Sequence, residues 1–213
     1  MIFSKNKKSE NFQIKIGNDI LSRVHQAKYL GVIIDDRLNW KPHVAMVRSK
    51  MAKGCWAISR LRKFVSSNVL IKVYYGLVYS HIIYCISCWG WIAKCNLNSL
   101  TVLQKRAVRI ISRVPRLTHT SPLFHKLGLL KIADIYTLQI SKIMYKYNSN
   151  DWLGSYEMAT VKETHSHFTR FSISNYYSPL VKSRMSKGTL SIVGPKIWST
   201  LPNKLKSLTF AQF

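Results

Sequence analysis

The sequence predicts an α+β fold that is mainly α: a short N-terminal antiparallel β unit, a helical bundle and an irregular C-terminal region. Three observations carry this expectation. Near the N-terminus apolar residues alternate with polar ones, the period of a strand. From Asn39 they recur every three or four residues, the spacing of one helix face, and after Asn148 the pattern dissolves into Ser, Thr, Asn and Tyr. The 213 residues are 47% hydrophobic and 12% aromatic, which supplies apolar surface that a disordered chain lacks. The divisions expected are 1–38, 39–148 and 149–213.

Phe12, Ile14 and Ile16 alternate with Gln13 and Lys15, and Gly17-Asn18-Asp19 supplies a turn before Ile20 and Leu21. Ala27 to Ile34 reads as one nearly continuous apolar strand, with Gly31 marking a bulge or a close backbone approach. A helix starts at Asn39 or Trp40 with Pro42 in its first turn. Its apolar side is Val44, Val47, Met51, Cys55, Ile58, Leu61 and Val65, and its polar side carries Arg48, Lys53, Arg60, Arg62 and Lys63. Ser66-Ser67-Asn68 precedes a more buried helix from Val69 to about Cys88 that breaks near Gly90. Asn96 or Asn98 caps a third, which buries Leu97, Leu100, Leu103, Ala107, Ile110 and Ile111. A fourth runs from about Ile132 to Tyr147. Short strands or loops are expected at Leu190 to Val193, then a short helix from Pro195.

Charge narrows the function. Lys and Arg number 33 against 8 Asp and Glu, a formal charge of +25. The acids are Glu10, Asp19, Asp35, Asp36, Asp134, Asp151, Glu157 and Glu163, so the stretch from Arg37 to Ala133 holds none. That excess repels itself in a folded chain and calls for a polyanionic partner. It also disfavours enzymes built on carboxylate pairs or carboxylate-held metals. A solvated basic face is the plain reading of a local charge run, but this bias spans nearly a hundred residues rather than a block, which favours nucleic acid. Lys105, Arg106, Arg109 and Arg113 form a stripe on the third helix that suits a phosphate backbone.

Other chemistry is thin. His81, Cys85, Cys88 and Cys95 could offer four zinc ligands, but they sit in a helical apolar run without the turn that lets a Cys pair grip one metal. Val73 to Ala93 is long enough to cross a bilayer, yet its tyrosines, serines and histidine disfavour a span. No signal peptide is expected, and free thiols fit a reducing compartment. Asp35-Asp36, the acidic pair, ends a strand and precedes a helix. It reads as a turn near a helix N-terminus rather than a two-metal site. No nucleotide-binding glycine loop or Ser-His-Asp order occurs.

Several segments together resemble the reverse transcriptases of non-LTR retrotransposons (LINE-like, jockey or CR1 type). Met1-Ile2-Phe3-Ser4 is similar to the end of the palm in that family. Lys28-Tyr29-Leu30-Gly31-Val32 with Ile34-Asp35 is similar to its primer-grip strand, and Leu38-Asn39-Trp40 and His43 to the segment behind that strand. Tyr84 with Trp89-Gly90, Leu103-Gln104-Lys105-Arg106-Ala107 and Arg109-Ile110-Ile111 resemble the thumb and beyond. Thr120-Ser121-Pro122-Leu123, Leu127, Leu129 and Met144-Tyr145-Lys146 continue the match. Thr169-Arg170, Gly194-Pro195-Lys196-Ile197-Trp198, Leu201-Pro202 and Leu205-Lys206 resemble the C-terminal end.

The resemblance implies a part of an RNA-directed DNA polymerase, in which Tyr29, Leu30 and Gly31 lie against the primer end. Lys28, Arg48, Lys53, Arg60, Arg62 and Lys63, with Lys105, Arg106, Arg109 and Arg113, would hold the nucleic-acid backbone. The partner implied is an RNA template with a DNA primer, or RNA, in an intracellular nuclear or cytoplasmic ribonucleoprotein. The family's catalytic carboxylates would precede Met1, so no catalytic or metal residue and no cofactor is expected here. The intact enzyme would use Mg. The alternative is an autonomous basic nucleic-acid-binding protein derived from such an element, and behind it a single-span membrane protein centred on Val73 to Ala93.

Overall fold

In the computed structural model, which describes residues 1, 3, 14–149, 157–164, 175–181 and 186–208, two hairpins open the chain. Ile14–Ile16 (β1) pairs antiparallel with Asp19–Leu21 (β2), joined at Gly17-Asn18 as the turn chemistry predicts. Gln26–Tyr29 (β3) pairs antiparallel with Val32–Asp35 (β4), with Tyr29 opposite Val32. The expected continuous strand from Ala27 to Ile34 is therefore a hairpin. Leu30 and Gly31 take φ of 45° and 80°, the two left-handed residues of a type I′ turn, and only the second is a glycine. Ile2, Ser4, Phe12, Thr169 and Arg170, to which the sequence assigned a strand or a family likeness, lie outside the described residues.

The described chain is mainly helical and divides into two units, Met1–Cys85 with Ile92–Leu129, and Ile86–Trp91 with Leu130–Phe213. In the first, Lys41–Leu61 (α1) starts behind Pro42 and buries Val44, Val47, Met51, Cys55 and Ile58, as its periodicity requires. It ends four residues short of the expected Val65, and Leu61 is exposed. α1 packs against Lys94–Ile111 (α5), whose Leu100, Ala107, Val108 and Ile111 are buried. The Cys55 thiol donates to the Leu103 carbonyl between them.

The expected helix from Val69 to Cys88 is several pieces. Ser67–Tyr74 (α2) runs through a π turn at Tyr75–Tyr79 into Ser80–Ile83 (α3). Leu70, Tyr74, Val78 and Ile82 are all fully buried at a strict spacing of four. In a pure α-helix that spacing drifts by about 40° per step. The wider π turn absorbs the drift and keeps all four on the core. Gly54 of α1 makes this possible: a Cβ there would stand 2.6 Å from the Leu77 carbonyl oxygen, so the two backbones meet directly. Tyr84 is extended and Cys85 has φ of 51°, which ends the run five residues before Gly90. Among the described residues no helix is long and apolar enough to cross a membrane.

α5 begins at Lys94, ahead of the Asn96 or Asn98 cap expected. It closes in a Schellman arrangement: Arg113 at φ 57° donates its amide to Ile110 and Val114 donates to Arg109. Ser121–Lys126 (α6) ends the same way on Gly128 at φ 62°.

The second unit contains Ile86–Trp89 (α4), Ile132–Asn148 (α7), Val161–Thr164 (α8), Leu190–Thr200 (α9) and Asn203–Lys206 (α10). Its core joins Ile140, Met144, Tyr145, Met158 and Trp198. Thr160 and Glu163 exchange hydrogen bonds as a capping box for α8. The strands or loops expected at Leu190 to Val193 are instead the first turn of α9. Ile192 and Trp198 face the core, and Gly194 lets α9 close on Met144, so packing overrides the Gly-Pro break.

Candidate nucleic-acid interface

Position on a helix decides which of the predicted cations share one surface. Val102, Arg106, Arg109 and Ile110 recur at helical spacing along one face of α5. Opposite them stand Ser59 and Arg62 at the C-terminal end of α1, and Val114, Arg116 and Leu117 from the loop after α5 complete a groove of about 690 Å³. Four arginines thus line one concavity. No acid of the chain lies between Arg37 and Ala133, so none of its lining is a carboxylate.

The loop that completes the groove is tied down by two arginines of the predicted stripe. Arg109 Nε donates to the Thr118 carbonyl at 2.8 Å, and Arg113 donates to the Val65 carbonyl at 2.9 Å. Arg113 therefore fastens the chain, while Arg109 both fastens the loop and lines the groove.

Of the residues singled out in the sequence, Arg62, Arg106 and Arg109 meet here. Arg48, Lys53, Arg60, Lys63 and Lys105 are exposed but do not line the groove, and Lys28 is exposed on β3. Lys53 and Arg60 share a solvent side of α1 with Trp56, and the Arg60 guanidinium sits 5.4 Å from the Trp56 ring centre. Arg116 was missed because it stands in a loop, where no periodicity points to a face.

Tyr29, Leu30 and Gly31 form the tip of the β3–β4 hairpin, with Tyr29 66% and Leu30 74% exposed. The Tyr84 hydroxyl donates to the Leu30 carbonyl, and a Cβ on Gly31 would stand 3.5 Å from the Tyr84 ring. The abrupt end of α3 is what brings Tyr84 to the hairpin. A second, smaller groove of about 290 Å³ lies there, lined by Gly31, His43, Met46, Val47, Lys50, Ser80, His81 and Tyr84.

Over 139 residues the chain is 30% identical to the RNA-directed DNA polymerase from mobile element jockey of Drosophila funebris, a match that covers 63% of this chain and 15% of that protein. It is 32% identical over 139 residues to the probable RNA-directed DNA polymerase from transposon BS of Drosophila melanogaster, with the same coverage. The probable polymerase from transposon X-element of Drosophila melanogaster is 28% identical over 126 residues, 57% of this chain and 13% of that protein. The chain is homologous to RNA-directed DNA polymerases of mobile elements. It spans about 15% of the length of the jockey and BS proteins, so the homology is to a part of them. No family model and no solved structure matches the chain.

The acidic pair of this polymerase homologue is spent on structure. Asp35 is buried, and its two carboxylate oxygens accept the amides of Asn39 at 3.0 Å and Trp40 at 2.7 Å. Asp36 meets His25 Nδ1 at 2.8 Å, a bond that holds the Asp36 carboxyl below its ordinary range. Among the described residues no group of three His, Cys, Asp or Glu side chains could hold a metal ion, the His81 and Cys85 set included.

His43 gives a pH dependence. Its ring is 1% exposed, and Nδ1 accepts the Ile33 amide at 3.3 Å, a role open only to an unprotonated nitrogen. Burial first, then the charge of Lys50, lowers its pKa from 6.5. The folded state then binds fewer protons than the unfolded state, so this stability is complete above pH 6.5 and lost as the pH falls below it. His81 is lowered in the same sense by burial and Lys50, and Asp36 titrates at lower pH. Urea denaturation at pH 7.5 and 5.5 should show wild type losing stability on acidification and His43→Gln losing less. Equal losses would contradict the buried neutral ring.

Proposed function

We propose that this chain contributes template–primer binding to the RNA-directed DNA polymerase of a mobile element. The arginine groove of the helical unit holds the nucleic-acid backbone, and the hairpin tip at Tyr29, Leu30 and Gly31 lies against the primer end. The observation that carries the reading is the convergence of Arg62, Arg106, Arg109 and Arg116 on one groove without a carboxylate. Homology to polymerases that work on nucleic acid supports it. Guanidinium groups on phosphates give affinity and register without reading sequence. Since Asp35 and Asp36 are both engaged by neighbours, neither is assigned a part in the chemistry, and the chain by itself should extend no primer.

The test is the affinity of the full chain for a primed RNA template, a hybrid duplex with an unpaired RNA overhang, across a salt series. Four phosphate contacts release enough counterions to give a slope of log K against log salt of about −3.6. Affinity should be similar for unrelated sequences. No binding, or binding insensitive to salt, would overturn the proposal.

A further inference from the structure

The groove is not lined like a surface that meets only phosphates. Val102, Ile110, Val114 and Leu117 make up its apolar part, and two of them are open to solvent rather than packed: Leu117 is 88% exposed and Val102 is 56% exposed. A paired duplex offers a protein its phosphates and sugars, and its bases are stacked away in the helix. An unpaired strand offers the same phosphates together with base faces that apolar side chains can cover. Cations beside an apolar floor match the second ligand. The loop that carries Arg116 and Leu117 is held by the Arg109–Thr118 and Arg113–Val65 bonds, so the floor and the cations keep one spacing.

We propose that this groove takes unpaired nucleotides of an RNA strand, with phosphates on Arg106 and Arg116 and base faces against Leu117 and Val102. The inference rests on the template–primer reading and makes it narrower: the groove holds the single-stranded template beside the duplex rather than the duplex itself. Charge complementarity decides the class of ligand, and the apolar floor decides its unpaired state.

Fluorescence anisotropy of the full chain with an oligouridylate of about twelve nucleotides, which cannot pair with itself, tests this against a blunt RNA–DNA hybrid of equal length. The oligouridylate should bind at least as tightly as the hybrid. Leu117→Ser with Val102→Ser should weaken oligouridylate binding by about tenfold and leave the hybrid within about twofold. Its salt slope should be unchanged, because the phosphate contacts remain. Both side chains are exposed, and a matched thermal melt checks that the variant folds. Arg106→Gln with Arg116→Gln should weaken the oligouridylate and lower its salt slope by about 1.4.

If the serine variant weakens both ligands alike, or neither, while the arginine variant weakens binding, the groove meets backbone only and this inference falls while the wider proposal stands. If the arginine variant changes neither ligand, the wider proposal falls as well. Polyglutamate of equal charge binding more tightly than oligouridylate, with the same arginine dependence, would assign the groove to an acidic protein segment and overturn the inference.

Discussion

Asp35→Ala is expected to destabilise the first unit by about 3 kcal/mol, since it removes two hydrogen bonds to a charged acceptor and strands their donors. The connection from β4 to α1 is unusual: Leu38 and Trp40, neither a glycine, stand at φ of 49° and 59°. Left-handed residues of this kind persist only where surroundings hold them. The Asp35 carboxylate is that hold, taking the amides of Asn39 and Trp40, while its own carbonyl accepts the Leu38 amide at 2.9 Å. Without it the chain can relax to ordinary backbone angles, and α1 loses its fixed start. Thermal denaturation should show a fall of the order of 10 °C in the melting of the unit. Asp35→Asn keeps an accepting oxygen and should recover part of the loss. A variant as stable as wild type would mean that the acidic pair has another purpose.

Charge reversal in the groove should have the largest effect on binding. Arg106→Glu with Arg116→Glu turns two attractive contacts into two repulsive ones within one concavity. Removing one phosphate contact weakens binding by of the order of tenfold at moderate salt, so affinity for a primed RNA template should fall by at least about a hundredfold. The same reversal at Lys53 and Arg60, which carry equal charge on the exposed side of α1, should cost less than about tenfold. Arg106 is exposed on a helix surface and Arg116 stands in a loop, so both variants should keep their fold. Equal losses from the two pairs would mean that net charge, not the groove, binds nucleic acid.

These two sites also show what the sequence could and could not disclose. α1 and α7 were legible because long uninterrupted runs repeat every three or four residues, and burial at Val44, Val47, Met51, Cys55 and Ile58 follows that repeat. The role of Asp35 was legible as a strand end before a helix. The β3–β4 hairpin was not, because Leu30-Gly31 lacks the Asn-Gly or Asp-Gly pair that announces such a turn. The end of α3 was hidden for a similar reason: Tyr84 and Cys85 are neither glycine nor proline, and the Tyr84 bond to the Leu30 carbonyl joins residues far apart in the chain. Gly194-Pro195 misled in the opposite direction, since the close packing of α9 on Met144 outweighed a local break.

The groove itself was half legible. Lys105, Arg106, Arg109 and Arg113 read as one stripe, yet one helix position separates Lys105 from Arg106 and turns it about 100° away. Arg113 is carried off by the Schellman turn to the Val65 carbonyl. Arg62 and Arg116 reach the same concavity from distant stretches of sequence, which only the packing of α1 on α5 brings together. The resemblance carried by the sequence motifs and the homology to the jockey, BS and X-element polymerases agree on the family.

The central claim, that nucleic acid occupies this groove, is tested most directly by arginine footprinting. The full chain would be treated with phenylglyoxal, with and without a saturating primed RNA template, and the modified sites mapped by mass spectrometry. Arg62, Arg106 and Arg116 should be protected by the nucleic acid, while Arg48 and Arg60 should react as before. Protection of Arg48 and Arg60 with the groove arginines still reactive would contradict the claim.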